Sequence, residues 1–118
     1  LFRSIRTAVA SSTRKAVVEK ELDEEGFLAY FDKIIGGDAV KISKPNPEIY
    51  LLACQELSVR PAETFAIEDS YNGIRAAHGA GMRPIMVPDM IPADEEMRGL
   101  SEMVCKDLFA VREYLAKL

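Results

Sequence analysis

Two adjacent acids, Glu68 and Asp69, follow directly on the apolar run Thr64-Phe65-Ala66-Ile67. Neighbouring carboxylates in a low-dielectric setting repel each other unless a cation joins them. Hard oxygens at a strand tip suit magnesium, which keeps waters and a substrate phosphate among its ligands. Asp69 would equally serve as the cap of the helix that follows. Lys44 stands just before Pro45-Asn46-Pro47, in a loop whose shape the prolines restrict. An ammonium held there can neutralise phosphate or nucleophile charge; the plainer alternative is a solvated surface lysine. Ser11 and Ser12 close another apolar run, Ile5 to Ala10. Hydroxyls and backbone N–H groups at a helix start make an anion seat, or a cap with no ligand at all.

These residues need elements to position them. The run Ile5 to Ala10 reads as a buried strand, and Ser11-Ser12-Thr13 as candidate caps of a helix over roughly Thr13 to Glu25. Ala16, Val17, Val18 and Leu22 supply its inner stripe, and Gly26 ends it. Lys33 to Ile35 is a short strand closed by Gly36-Gly37, with a polar loop running on to Lys44. Asn46 caps a second helix, with Pro47 and Glu48 in its first turn and Ile49, Leu52, Ala53 and Leu57 on its inner face. Pro61 marks its stop. Thr64 to Ile67 is a strand, Ser70 to Ala80 a helix ended by Gly81, and Arg83 to Val87 another strand. An irregular or briefly helical loop covers Pro88 to Gly99, and Glu102 to Cys105 is a last strand. Asp107 caps a terminal helix carrying Leu108, Val111, Tyr114, Leu115 and Leu118.

Strand and helix alternate throughout, which indicates βαβ units and a parallel sheet covered on both faces. Ligands of such sheets sit beyond the carboxyl ends of the strands. Ser11, Lys44 and Glu68-Asp69 then share one rim. An anion seat, a cationic side chain and a metal-binding acid pair together describe a phosphoryl-transfer site. Thr13, Ser70 and Asn72 read as supporting residues around it, or as caps and turns. His78, on a helix among alanines and glycines, does not read as a general base, and Arg75 and Arg83 read as surface residues.

Bulk properties agree. The 118 residues fit one compact domain, and 48% hydrophobic content supports a real core. Net charge is −4 with Lys and Arg scattered, which argues against a nucleic-acid or anionic-membrane partner and fits a soluble enzyme handling small molecules; the phosphoryl-transfer reading makes the expected partner a small phosphorylated metabolite. Cys54 and Cys105 lie in separate apolar stretches and read as buried free thiols in a reducing compartment. No stretch is long enough for a membrane span and no secretory signal is visible, so the expected location is cytoplasmic.

The order of these motifs resembles that of the haloacid dehalogenase superfamily, in its β-phosphoglucomutase-like phosphatase and mutase branch. Ala10-Ser11-Ser12 resembles the motif whose hydroxyl binds the transferring phosphoryl group. Lys44-Pro45-Asn46-Pro47 with Glu48-Ile49-Tyr50 resembles the lysine motif. Phe65-Ala66-Ile67-Glu68-Asp69-Ser70, with Gly73-Ile74 and Ala80-Gly81-Met82, resembles the magnesium motif. The resemblance implies that Ser11, Ser12 and Lys44 bind phosphate, that Lys44 is also catalytic, and that Asp69 and Glu68 bind Mg2+. It implies a three-layer Rossmann-like parallel sheet with helices on both faces.

One family feature is absent: no Asp-x-Asp, the motif of nucleophile and general acid/base, occurs in the sequence. The resemblance puts that strand at mid-sheet, between the Ser11 and Glu68 strands, and a substrate-selecting cap domain after it. The chain opens Leu1-Phe2-Arg3 without an initiator Met. We therefore expect residues 1–118 to be the C-terminal part of a core domain, inactive alone, whose nucleophile strand and cap come from the same parent chain. Two other readings stand beside it. One is a non-catalytic phosphate- or metal-binding remnant. The other is a regulatory module resembling response-regulator receivers, although those place the acid pair early and the lysine late, the reverse of Lys44 and Glu68-Asp69.

Overall fold

Residues 5–118 are described by a computed structural model, in which five short strands and five α-helices alternate. Strand β1 (Ala8–Ala10) pairs in parallel with β2 (Lys33–Ile35), setting Val9 opposite Ile34. Strands β3 (Phe65–Glu68), β4 (Arg83–Met86) and β5 (Met103–Val104) form a second parallel set in the order β3-β4-β5, with Ile67 opposite Ile85. Among the described residues no ladder joins β1 to β3. The expected parallel α/β architecture is present, in two pieces with an open edge on each side of the gap.

Helix packing holds the two pieces together. Helix α2 (Glu48–Leu57) buries Ile49, Tyr50, Ala53, Cys54 and Leu57. Helix α3 (Tyr71–Gly79) buries Gly73, Ile74, Ala76 and Ala77. Ile49, Tyr50, Ala53 and Cys54 of α2 share one core with Ala76 and Ala77 of α3, Ile35 of β2 and Ala66 of β3, so these two helices bridge the gap on one face. Apolar area removed from water stabilises this joint by roughly 25 cal/mol per Å2. Helix α4 (Glu95–Leu100) adds Met97 beside Ile74 and Met86. Helix α5 (Leu108–Ala116) covers the other face, packing Val111 against Ile85 and Cys105. Both cysteines are free and buried, as the sequence suggests, and burial pushes both thiols up. No helix among the described residues is long and apolar enough to cross a membrane.

Three helix expectations change. Helix α1 runs Lys15–Glu24, not from Thr13, and of its expected stripe only Val18 is buried. Its start is capped from outside: Asp38 Oδ1 accepts from the Lys15 N–H at 2.9 Å. At α2 the N-cap position is Pro47, although Asn46 Oδ1 still accepts from the Glu48 N–H at 3.0 Å, one residue early. Asp107 caps α5 as expected, accepting from the Ala110 N–H at 2.8 Å. Of that helix's expected stripe, however, only Val111 is buried, and Leu108 and Leu118 are 65% and 67% exposed. The reason is local: α5 lies over β4 and β5, and nothing described here covers the ground beyond β3.

Candidate active site

The strand tips converge as the sequence argument requires. Lys44 Nζ donates to Ala10 O of β1 at 3.2 Å and to Glu68 Oε2 of β3 at 2.6 Å. The alternative of a solvated surface lysine is thereby excluded. Glu48, at the start of α2, accepts from the Lys41 and Ile42 N–H groups at 3.1 Å each, fixing the loop that carries Lys44.

At the tip of β1, Ser11 N–H donates to Ile35 O at 3.0 Å, which keeps Ser11 in line with the strand. Ser11 Oγ accepts from the Thr13 N–H at 3.1 Å and so closes a tight turn. Gly36 and Gly37 bring the β2 loop against this turn: a Cβ on Gly37 would overlap Ser12 O, and one on Gly36 would overlap Lys15 N. Asp38 therefore sits at the α1 start, where the Lys15 N–H holds its carboxyl below the usual range. The start of α1 thus already faces an internal anion.

The acid pair divides its labour. Ser70, not Asp69, caps α3, its Oγ accepting from the Gly73 N–H at 3.0 Å. That settles the alternative left open for Asp69, which is exposed at the β3 tip. Glu68 is held closely. Its Oε2 accepts from Lys44 and from the Tyr50 hydroxyl, while Oε1 has the Ser70 hydroxyl at 3.4 Å. A Cβ on Gly73 would overlap the Glu68 carboxylate, so only glycine leaves it room. Burial, with the Glu68 charge beside it, pushes the Tyr50 phenol far above its ordinary value and keeps it a donor.

No group of three or more His, Cys, Asp and Glu residues that could hold a metal occurs among the described residues. Two carboxylates with hard oxygens fit a magnesium that fills its remaining positions with water and phosphate oxygen; they do not fit a closed zinc site. Asp69 and Glu68 would be its protein donors.

A cavity of about 1650 Å3 runs between the open edges of β1 and β3. Residues 5–12 line one side and 63–70 the other, and Tyr50, Ala53, Cys54 and Leu57 of α2 form its roof. Ser11, Ser12, Lys44, Glu68 and Asp69 all reach it at the strand-tip end. Asp89 and Lys106 reach it as well, and the sequence reading gave them no role. Both follow strands, β4 and β5, so the strand-tip rule that singled out Glu68-Asp69 would have found them. Tyr50 was hidden by its position among the apolar residues of α2.

Comparison with known proteins adds a family and several relatives. A family model for haloacid dehalogenase-like hydrolases matches residues 2–87. The protein CbbY of Cereibacter sphaeroides is 42% identical over 117 residues, covering 97% of this chain and 50% of that protein. A phosphorylated carbohydrates phosphatase of Thermotoga maritima is 40% identical over 83 residues, covering 70% of this chain and 38% of that protein. The crystal structure of a β-phosphoglucomutase-like protein from Thermotoga maritima superposes with a TM-score of 0.86 at 29% identity, covering 99% of this chain and 55% of that one. The chain thus spans about half the length of the curated relatives it matches.

Proposed function

The chain belongs to the haloacid dehalogenase-like hydrolase family, and from that premise we propose that it forms the C-terminal part of the core domain of a magnesium-dependent phosphatase or phosphomutase. Its substrates in this reading are small, sugar-like phosphate monoesters. The observation that carries the reading is the shared cavity: Ser11, Ser12, Lys44, Glu68 and Asp69 line it together although they come from three separate segments. The phosphorylated carbohydrates phosphatase and the β-phosphoglucomutase-like structure among its relatives support the substrate class. Two buried free thiols support a reducing, cytoplasmic setting.

In this reading the Ser11 and Ser12 turn holds phosphate oxygens, and Lys44 offsets their charge while keeping Glu68 in place. Asp69 and Glu68 would hold the magnesium ion. When bound, that ion supplies Lewis-acid stabilisation of charge on the phosphate oxygens. The nucleophile comes from a strand of the parent chain lying between β1 and β3. Its first Asp attacks phosphorus while the second protonates the departing ester oxygen; that second carboxylate then takes the proton of the water or sugar hydroxyl that resolves the aspartyl-phosphate.

The test is hydrolysis of hexose monophosphates and an aryl phosphate by the full-length protein, with magnesium and with EDTA. Turnover should require magnesium and fall about 100-fold or more in Lys44→Met and Asp69→Asn. Undiminished turnover in EDTA, or a fully active Asp69→Asn protein, would overturn the reading.

A further inference from the structure

We propose that Tyr50 is a positioning residue for the magnesium site: its hydroxyl, donating to Oε2, holds the Glu68 carboxylate in the one orientation from which it would meet the ion. The inference rests on the reading of Glu68 and Asp69 as the metal-holding pair, and it assigns a role to a residue on the opposite, helical side of the cavity.

Geometry carries it. Tyr50 is 7% exposed and its ring packs in the core shared by α2 and α3. Its hydroxyl nevertheless emerges at the tip of β3 and donates to Glu68 Oε2, the oxygen that also takes Lys44 Nζ at 2.6 Å. The ammonium lies 5.0 Å from the centre of the Tyr50 ring, so the phenol touches both members of the ion pair. Glu68 is then boxed on three sides: by Tyr50 from α2, by Lys44 from the loop before it, and by the bare Gly73 from α3. A carboxylate free to turn about its last bond presents either oxygen to an ion. One whose Oε2 takes two donors, while Oε1 lies against Gly73 with the Ser70 hydroxyl at 3.4 Å, is held in one orientation.

A ring without the hydroxyl would fill the same space, which separates packing from hydrogen bonding. Tyr50→Phe keeps the core contacts with Ile49, Ala53 and Ala77 and removes only the bond to Glu68. Residues that orient metal ligands change metal affinity about 10- to 100-fold when lost. Because Lys44 remains on the same oxygen, the lower end of that range applies.

The experiment uses the full-length protein and Mn2+ as the probe ion, titrated by electron paramagnetic resonance of the free ion. Tyr50→Phe should weaken Mn2+ binding about 10-fold. With saturating magnesium its KM for the phosphate ester should stay within roughly twofold of wild type. In a Glu68→Gln background, Tyr50→Phe should weaken Mn2+ binding no further, because the group through which it acts is already gone. Affinity equal to wild type in Tyr50→Phe, or additive losses in the double variant, would overturn the role of Tyr50 while leaving the metal site intact. A wild-type protein that binds no Mn2+ would instead overturn the metal reading itself, and the Tyr50 proposal with it.

Discussion

Lys44 Nζ lies 2.6 Å from Glu68 Oε2, with only 13% and 9% of the two side chains exposed. The pair spans the gap between the two halves of the sheet. Lys44 comes from the loop after β2 and also reaches Ala10 O of β1, while Glu68 ends β3. It is therefore both a piece of the candidate site and a clasp across the fold at the end where the strands are unpaired. A buried charge pair is not a large net source of stability, yet breaking it leaves a charge without a partner.

Lys44→Met should on that account destabilise the protein by about 1–3 kcal/mol in urea unfolding, since Tyr50 remains as a donor to the stranded carboxylate. Adding Glu68→Gln removes the stranded charge and should restore most of the loss. A Lys44→Met protein as stable as wild type would mean that water replaces the ammonium without cost.

Two glycine-to-alanine changes should have opposite signs. Helix propensity alone favours Ala over Gly by roughly 1 kcal/mol inside a helix. Gly99, in α4, has open space where a Cβ would go, so Gly99→Ala should stabilise by about 0.5–1 kcal/mol. At Gly73 in α3 the added methyl would overlap the Glu68 carboxylate, so Gly73→Ala should destabilise by about 1 kcal/mol or more despite its better propensity. Thermal melts of both variants check this. Stabilisation by Gly73→Ala would show that Glu68 moves aside freely and is not boxed.

Much of this was legible in the sequence because it is local or periodic. The alternation of strand and helix, the capping of α5 by Asp107 and the left-handed Gly81 that ends α3 needed only neighbouring residues. The candidate residues Ser11, Lys44 and Glu68-Asp69 stand out because each follows a strand, and their meeting in one cavity follows from parallel topology. What stayed hidden depends on contacts between distant segments. Asp38 caps α1 across 23 positions, and no local signal distinguishes it from the nearer Ser11-Ser12-Thr13. Tyr50 satisfies the apolar period of α2, so its hydroxyl bond to Glu68, 18 residues away, leaves no trace in the pattern.

The Arg83–Glu102 pair gives a pH signature away from the site. Arg83 donates to both Glu102 oxygens, at 2.6 and 2.8 Å, tying β4 to the start of β5. Its guanidinium, with the Tyr114 hydroxyl as a further donor, holds the Glu102 carboxyl below its usual range. A lowered carboxyl contributes stability above the ordinary carboxylate range and loses it as pH falls through the folded value. Glu102→Gln should therefore cost about 0.5–1 kcal/mol near neutral pH, the ceiling for a largely solvated pair. The difference from wild type should shrink as pH falls into and below the ordinary carboxylate range. A constant difference across that range would locate the effect in packing and not in charge.

The gap between β1 and β3 makes its own prediction, because parallel pairing alternates the direction of backbone groups along a strand. Ser11 N–H points to β2, and Glu68 C=O accepts from Val87 beyond β4. By alternation Ala8 and Ala10 on one side, and Phe65 and Ile67 on the other, aim their N–H and C=O groups into the cavity. Ile67 is also 47% exposed in mid-strand, where a covered sheet would bury it. Backbone groups on an open edge exchange with water and invite a partner strand. In the 118-residue chain alone, the amides of Ala8, Ala10, Phe65 and Ile67 should exchange hydrogen rapidly, while Val9 and Ala66, aimed at their own ladders, stay protected. In the full-length protein a strand between β1 and β3 should protect all four. Hydrogen exchange followed by NMR on both proteins reads the difference directly. Unprotected Ala10 and Ile67 amides in the full-length protein would mean that no strand occupies the gap, and the nucleophile would have to come from elsewhere.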